Sequence, residues 1–383
     1  MLTTSFPVKE GASSGVFVER LAKKLALKSD VYVLAPAADI LFEKKNERSY
    51  QLFTFRYAPM KWQVLAHGGG GIPAILASRP ITLLLLPVFL VSMLMHSILY
   101  VRKVDLIFAN WSICGLIAGI AGFATGKPVI TTIRGEDGNR AKYSRVHRLV
   151  MNLCLRLNKR IVTVSDDIAM SLSRQFPSME QKIVMIPNGV DLISTKSRAN
   201  EHTQKKEVKL VIVGSLIPRK DVSTALKALS LLPLWFKLTI IGDGPDRKYL
   251  VSLSRELHLQ SRVRFEGHVT PEEIPSYLGN SDVFLITSKS EGRPNALLEA
   301  CASGLPTVGS DIPGVREIII SDVNGVLFPV GDHEALAHRL LPFSDLSLRH
   351  QLGNSGRRLI EERGLTWENT ADQYIQEFRK YCG

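Results

Sequence analysis

Cysteine is scarce and unpatterned. Cys114, Cys154, Cys301 and Cys382 are the only four in 383 residues, and no two form a C-x-x-C pair. That spacing excludes a disulfide-stapled secreted scaffold and the thiol sites of zinc or dithiol redox centres. It suits buried thiols in a reducing compartment. Acidic residues are also in deficit, 36 Asp and Glu against 48 Lys and Arg, for a formal net charge of +12. Such an excess selects acidic partners: nucleic acid, anionic lipid or phosphorylated small molecules. The basic residues are scattered, without an aromatic-interleaved tract or zinc-finger spacing, which sets nucleic acid aside. The opening "MLTTSFPVKEG" carries no apolar signal-peptide core, so a cytoplasmic address is expected.

One stretch lacks charge altogether. "ITLLLLPVFLVSMLMHSILY", Ile81 to Tyr100, is flanked by Arg79 and by Arg102 and Lys103. Its length would cross a bilayer. Strand-and-helix alternation continues on both sides, however, and Pro87 and His96 weaken a span. The expectation is a helix lying in the interface or partly buried in its domain, in peripheral contact with the inner face of the cytoplasmic membrane.

What is present is a globular composition, 45% hydrophobic and 22% charged, in a chain long enough for two domains. Short runs rich in Val, Ile and Leu recur: "VYVLAP" at 31, "DLIFAN" at 105, "PVITTI" at 128 and "RIVTVS" at 160. After residue 205 come "VKLVIVGS", "FKLTIIGDG", "VRFEGHV", "DVFLITS" and "LPTVGS". They are apolar on both faces, as in covered parallel sheets, and helical spacing separates them. The fold class is α/β, with two doubly wound, Rossmann-like domains. "IPNGVD" and the polar "STKSRANEHTQKKE" from Ser194 mark the boundary. Residues 1–187 with 366–383 form the expected first domain and 188–365 the second, with a hinge at Pro187 to Asp191. The last helix carries Trp367, Ala371, Tyr374, Ile375 and Phe378 on one stripe, expected to pack back on the first domain. Only "MLTTSFP" precedes the first loop where a full strand is expected. A late start and a shortened strand both remain open.

Ligands of open α/β sheets bind beyond the carboxyl ends of the strands, and two facing domains would place a cleft there. "EGASSGVFVERLAKKLA" puts Ser13, Ser14 and Gly15 at a helix start, as a phosphate-approaching loop or an ordinary cap. "VGSLIPRKDVSTALKAL" brings Ser215, Arg219 and Lys220 to another helix mouth, where two cations would neutralise a diphosphate or simply be solvated. "FEGHV", Phe265 to Val269, is a strand end whose backbone would meet a flat ring. In "SEGRPNALLEACASG", Glu291 precedes a helix and Glu299 lies along it, with the amides of Gly292, Arg293 and Asn295 nearby. Two acids beside an anion site repel unless each has its own uncharged partner, such as a sugar hydroxyl. No His, Asp or Cys cluster has metal-ligand spacing, so neither metal nor bound cofactor is expected.

This last region resembles the E-x7-E signature of retaining glycosyltransferase family 4, enzymes of the GT-B fold. "VGSLIPRKD", "IGDGPDRKYL", "VRFEGHVTPEEIPSYLGNSDVFLITSKSEGRPNALLEA" and "NGVLFPVGDHEAL" follow in the family's order, after "VTVSDDIAMSL" and "IPNGVD". The resemblance is strong from residue 160 to 335 and diffuse over the first 130. It implies that Glu299 holds the nucleotide ribose, and that Glu291 lies beside the donor sugar. Lys220 and Arg219 bind the diphosphate, Phe265 to Val269 flank the base, and Gly15 approaches phosphates or acceptor. Three departures stand out: Ser215 where the family has arginine, Asp221 where it has glycine, and Arg134, in "TTIRGED", where it has histidine. The implied reaction is retaining, metal-independent transfer from a UDP- or GDP-sugar to a glycan acceptor. That acceptor would be polyprenyl-linked, in polysaccharide or lipopolysaccharide assembly. A catalytically inactive nucleotide-sugar-binding scaffold at the membrane is the alternative.

Overall fold

The computed structural model describes residues 1–8, 15–38, 49–66, 72, 75, 76, 79–192 and 207–382, with backbone alone at 136, 139, 140 and 142. Ser13, Ser14 and most of the polar stretch after Ser194 lie outside them. The chain divides into two compact units, Met1–Asn188 with Trp367–Gly383, and Gly189–Thr366.

The first unit contains β1 (Tyr32–Pro36), β2 (Gln51–Phe55), β3 (Ile107–Asn110), β4 (Val129–Ile133), β5 (Arg160–Thr163) and β6 (Ile183–Met185). Its helices are α1 (Val16–Leu25), α2 (Leu86–Val101), α3 (Ser112–Thr125), α4 (Glu136–Tyr143), α5 (Arg145–Leu157) and α6 (Asp166–Gln175). β1 pairs with β2, and β3 through β6 pair in sequence, all in parallel. Leu2 joins the two sets, bridging Leu34 on one side and Ala109 on the other. The strand expected at the start is thus a single residue, held by bonds from the Leu2 amide to Phe108 and from the Asn110 amide to Leu2. Every residue of β4 is buried, as a strand covered on both faces requires.

The charge-free stretch starts as a 3-10 segment, Pro80–Leu85, and continues into α2. From Pro80 to Val101 it is long and apolar enough to cross a membrane. One side of it is core: Phe89 and Met93 pack with Phe55, Tyr57, Leu65 and Ala118. The opposite side is exposed.

The second unit contains β7 (Val208–Val213), β8 (Phe236–Ile241), β9 (Val263–Gly267), β10 (Val283–Ile286), β11 (Thr307–Ser310) and β12 (Gly325–Phe328). Between and after them run α7 (Val222–Leu231), α8 (Arg247–Glu256), α9 (Ile274–Gly279), α10 (Asn295–Ala302), α11 (Pro313–Arg316), α12 (His333–Leu340) and α13 (Leu346–Glu362). The strand order is β12-β11-β10-β7-β8-β9, all parallel, so direction of travel reverses between β7 and β10. That is the doubly wound order with one switch point.

The last helix, α14 (Trp367–Arg379), belongs to the first unit. Trp367, Ala371 and Tyr374 are fully buried among Leu21, Phe108 and Val162. Burying a large apolar side chain of this kind contributes about 1.5–3 kcal/mol, and the Ala371 methyl under about 1. Lys24 of α1 and Lys28, in the turn after it, pair with Glu368 and Asp372 along its outer edge. The buried thiols of Cys114 and Cys301 are pushed up to about 12 by burial, which leaves them unreactive.

Candidate active site at the switch point of the second sheet

The loops that leave β7 and β10 lie side by side because those strands are neighbours. The first makes a 3-10 turn, Pro218–Lys220. The second stitches to it: the Lys289 amide donates to the Arg219 carbonyl at 2.8 Å, and the Thr287 hydroxyl to the Lys220 carbonyl at 2.9 Å. Glycines set the spacing behind them. A β-carbon at Gly242 would sit 2.0 Å from the Gly214 carbonyl oxygen, and one at Gly244 would sit 2.3 Å from that of Leu216. The Gly-Asp-Gly turn after β8 is therefore the floor of the β7 loop. Gly314, in α11, similarly backs the carbonyl of Gly292.

These contacts bring together side chains some 70 residues apart in sequence. Glu291 accepts from the Lys220 ammonium at 2.6 Å, from the Arg219 guanidinium at 3.1 Å and from the Ser288 hydroxyl at 2.7 Å. Arg219 also donates to the Ser290 carbonyl. Two cations and one hydroxyl thus hold Glu291. Its side chain is only 8% exposed. Burial opposes its charge, but Lys220 and Arg219 outweigh that and hold its carboxyl below the usual range. Two cations against one carboxylate leave this cluster one positive charge in surplus.

Asp221 explains one departure. It ends the 3-10 turn at φ 46°, ψ 45°, the left-handed region that favours glycine. Its carboxylate accepts from the Ser223 and Thr224 hydroxyls at 2.8 and 3.0 Å and pairs with Lys289 at 3.7 Å, so side-chain bonds offset the backbone strain.

The other residues expected here are placed as follows. Glu299 is half-buried on α10, whose Leu297, Leu298, Ala300 and Cys301 form its core side. Asn295 opens that helix, and Gly292 lies in the loop before it. Arg293 is engaged by Glu317 at 3.1 Å with its side chain 5% exposed, which makes it a structural tie within the unit. Ser215 accepts the Ile217 amide through its carbonyl. Phe265 packs against the larger core cluster and Val269 against the smaller. Among the described residues, no three His, Cys, Asp or Glu side chains gather to hold a metal ion.

Two expected residues belong to the first unit. Gly15 has φ 78°, and a β-carbon there would lie 2.4 Å from the Ser5 carbonyl oxygen, so close backbone approach alone requires glycine. Arg134 follows β4 and is buried. Its Nε and Nη2 donate to Asn110 at 3.1 and 3.0 Å, its Nη1 donates to Asn188 at 2.7 Å, and its cation lies 4.7 Å from the Phe17 ring centroid. Burial lowers its pKa, and Tyr374 and Asp137 partly restore it. Asp137 is pinned by the amides of Ser112, Arg134 and Gly138. Beside them Trp111 adopts φ 71°, ψ 154°, a conformation that costs about 1–3 kcal/mol and concentrates at functional sites. Sequence reasoning missed Asn110, Asp137, Asn188 and Ser288. The signal for three of them was a polar residue closing an apolar strand run, as in "DLIFAN", "IPNGVD" and "LITS".

The ion cluster predicts an acid limb. A carboxylate with a depressed native pKa adds stability above its unfolded value of 4.5, and that contribution is lost as pH falls through the native pKa. Glu291→Gln is therefore expected to melt below wild type at neutral pH, with the gap closing below that value. Melting curves of both proteins across the acid range measure this, and a constant gap would contradict it.

Two family models match the chain: "Glycosyltransferase Family 4" over residues 14–193 and "Glycosyl transferases group 1" over 194–359. An Escherichia coli UDP-Gal:alpha-D-GlcNAc-diphosphoundecaprenol alpha-1,3-galactosyltransferase is 27% identical over 287 residues, 70% of this chain and 73% of that enzyme. The Rhizobium meliloti lipopolysaccharide core glycosyltransferase LpsE is 28% identical, over 51% of this chain and 57% of that one. Among solved structures, Anabaena Alr3699/HepE with UDP-glucose superposes with TM-score 0.77 at 18% identity, covering 99% of this chain and 98% of that one. Sucrose-phosphate synthase from Thermosynechococcus elongatus gives 0.79 at 20%, with the same coverage. The two models between them span nearly the whole chain, and both solved structures match it over 99% of its length. The chain belongs to glycosyltransferase family 4 and has the GT-B fold.

Proposed function

We propose that the protein is a retaining, metal-independent glycosyltransferase that moves a sugar from a UDP- or GDP-sugar to a lipid-linked glycan, in cell-surface polysaccharide or lipopolysaccharide synthesis. The observation that carries this reading is the Lys220–Glu291–Arg219 cluster at the switch point, eight residues before Glu299. A diphosphate leaving group gathers negative charge as the sugar departs. Lys220 and Arg219 are already fixed by Glu291, so they meet that charge without reorganising. A carboxylate tied to two cations is a poor nucleophile, which assigns Glu291 a positioning role. The acceptor hydroxyl attacks from the leaving-group side, and a phosphate oxygen takes its proton. The galactosyltransferase relative is named for a diphosphoundecaprenol acceptor, which supports a lipid-linked one here. We place the protein in the cytoplasm, on the inner face of the membrane, in contact through residues 81–100.

A thermal-shift screen against UDP, GDP, ADP and their sugar conjugates tests the donor. A ligand that binds only the native state raises Tm in proportion to its affinity. One nucleotide is expected to stand out, whereas no shift with any of them would count against the transferase and the nucleotide-sugar-binding scaffold alike. Glu299→Ala is expected to weaken that nucleotide by about 10- to 100-fold, the equivalent of one charged hydrogen bond, roughly 1.5–3 kcal/mol. Titration calorimetry at wild-type affinity would overturn the ribose assignment.

A further inference from the structure

We infer that α2, α3 and α5 together form a docking face for an anionic lipid bilayer, with α5 supplying its electrostatic half. The peripheral contact proposed above concerns residues 81–100 alone, and this inference extends it to two further helices and a lipid class. The outer stripe of the first segment is apolar throughout: Ile81, Leu84, Val88, Val91, Met95 and Leu99 are all more than half exposed. They recur every three or four residues, so they share one side. α3 packs against α2 on one flank and α5 on the other. Gly115 and Gly119 let α5 come close, since β-carbons there would lie 2.5 Å from Cys154 Sγ and 2.6 Å from Leu157 Cβ. On the outside of α3, Phe123 is 85% exposed.

α5 differs in kind. Its outer face interleaves Val146, Leu149 and Leu153 with Arg145, Arg148 and Arg156, all exposed. Apolar and basic groups alternate on that face, the pattern of a helix seated among headgroups. α2, α3 and α5 together contain no Asp or Glu, in a chain that has 36. An anionic surface satisfies the arginines and the apolar stripe at once. A second copy does not, because a two-fold contact would set arginine against arginine.

Seated this way, the sheet of the first unit stands about one helix diameter, roughly 10–12 Å, above the headgroups. The docking face does not depend on the lipid-linked acceptor.

The test uses the full chain in co-sedimentation with vesicles of pure phosphatidylcholine, or of phosphatidylcholine and phosphatidylglycerol in equal parts. Wild type is expected to bind the mixed vesicles, in a salt-sensitive way, and not the neutral ones. The Arg145→Glu/Arg148→Glu/Arg156→Glu variant is expected to bind them at least about 100-fold more weakly, from about fivefold per arginine. Its melting point and nucleotide-induced shift should stay at wild-type values. Wild-type vesicle binding by that variant would overturn the role of α5. Loss of binding in Val88→Asp/Met95→Asp at the same time would leave the contact through 81–100 standing. Wild type ignoring both vesicle types would overturn the docking face and that contact together, without touching the donor assignment. Self-association that the arginine variant abolishes would likewise overturn it in favour of a second copy.

Discussion

Lys220→Ala is expected to lower sugar transfer at saturating donor by about 100- to 1,000-fold, the loss typical of one pre-positioned charge-stabilising donor, roughly 2.7–4 kcal/mol. The argument rests on geometry. Lys220 is one of two cations on Glu291, and its ammonium lies 3.6 Å from the position of a β-carbon at Gly214, against the β7 loop. Its removal leaves Glu291 with Arg219 and Ser288 as partners, so no buried carboxylate is stranded and the fold should persist. Turnover and thermal melting, measured on the same preparation, separate the two effects. A loss below tenfold, with the fold intact, would remove Lys220 from the leaving-group role.

Arg134→Ala should show the reverse, a large loss of stability in the first unit. The guanidinium satisfies the side-chain oxygens of both Asn110 and Asn188, and its removal takes that charged donor from two buried groups and opens a cavity. Breaking such a network costs about 3 kcal/mol, which corresponds to a Tm roughly 6–12 °C lower for a unit of this size. Urea titration checks this, with the midpoint concentration expected to fall and the m-value to hold. Arg134→Lys keeps the charge but gives up the two-asparagine fork, and should recover only part of the loss. A change below 1 kcal/mol in the alanine variant would show that the network is dispensable.

The strands with continuous apolar runs were legible because they are covered on both faces, as β4 is throughout. Three were not. Gln51–Phe55 pairs with one strand on one side, and its alternation is too short to separate from a loop. Ile183–Met185 has three half-buried residues at a sheet edge. Gly325–Phe328 follows an Asn-Gly turn that masks its start. At the candidate site, the types and loops of Lys220, Glu291 and Glu299 could be read, since helix mouths and carboxylate spacing are local features. The pairing of Glu291 with Lys220 and Arg219 could not, because it depends on β10 lying beside β7. The strain at Asp221 and Trp111 and the interleaved face of α5 were hidden for a related reason. Backbone sign and outward direction are set by packing, and residue type alone does not report them.

The return of α14 to the first unit has a consequence for biosynthesis. Phe108, Ile130 and Val162 are covered by Trp367, Ala371 and Tyr374, yet all of residues 189–366 are synthesised in between. At 5–20 residues per second, that sheet face waits on the order of 10–40 s for its cover. The second unit, continuous in sequence, can finish folding first. A nascent first unit is therefore exposed to chaperones and proteases for the whole interval, and a translational pause between 189 and 366 would prolong it.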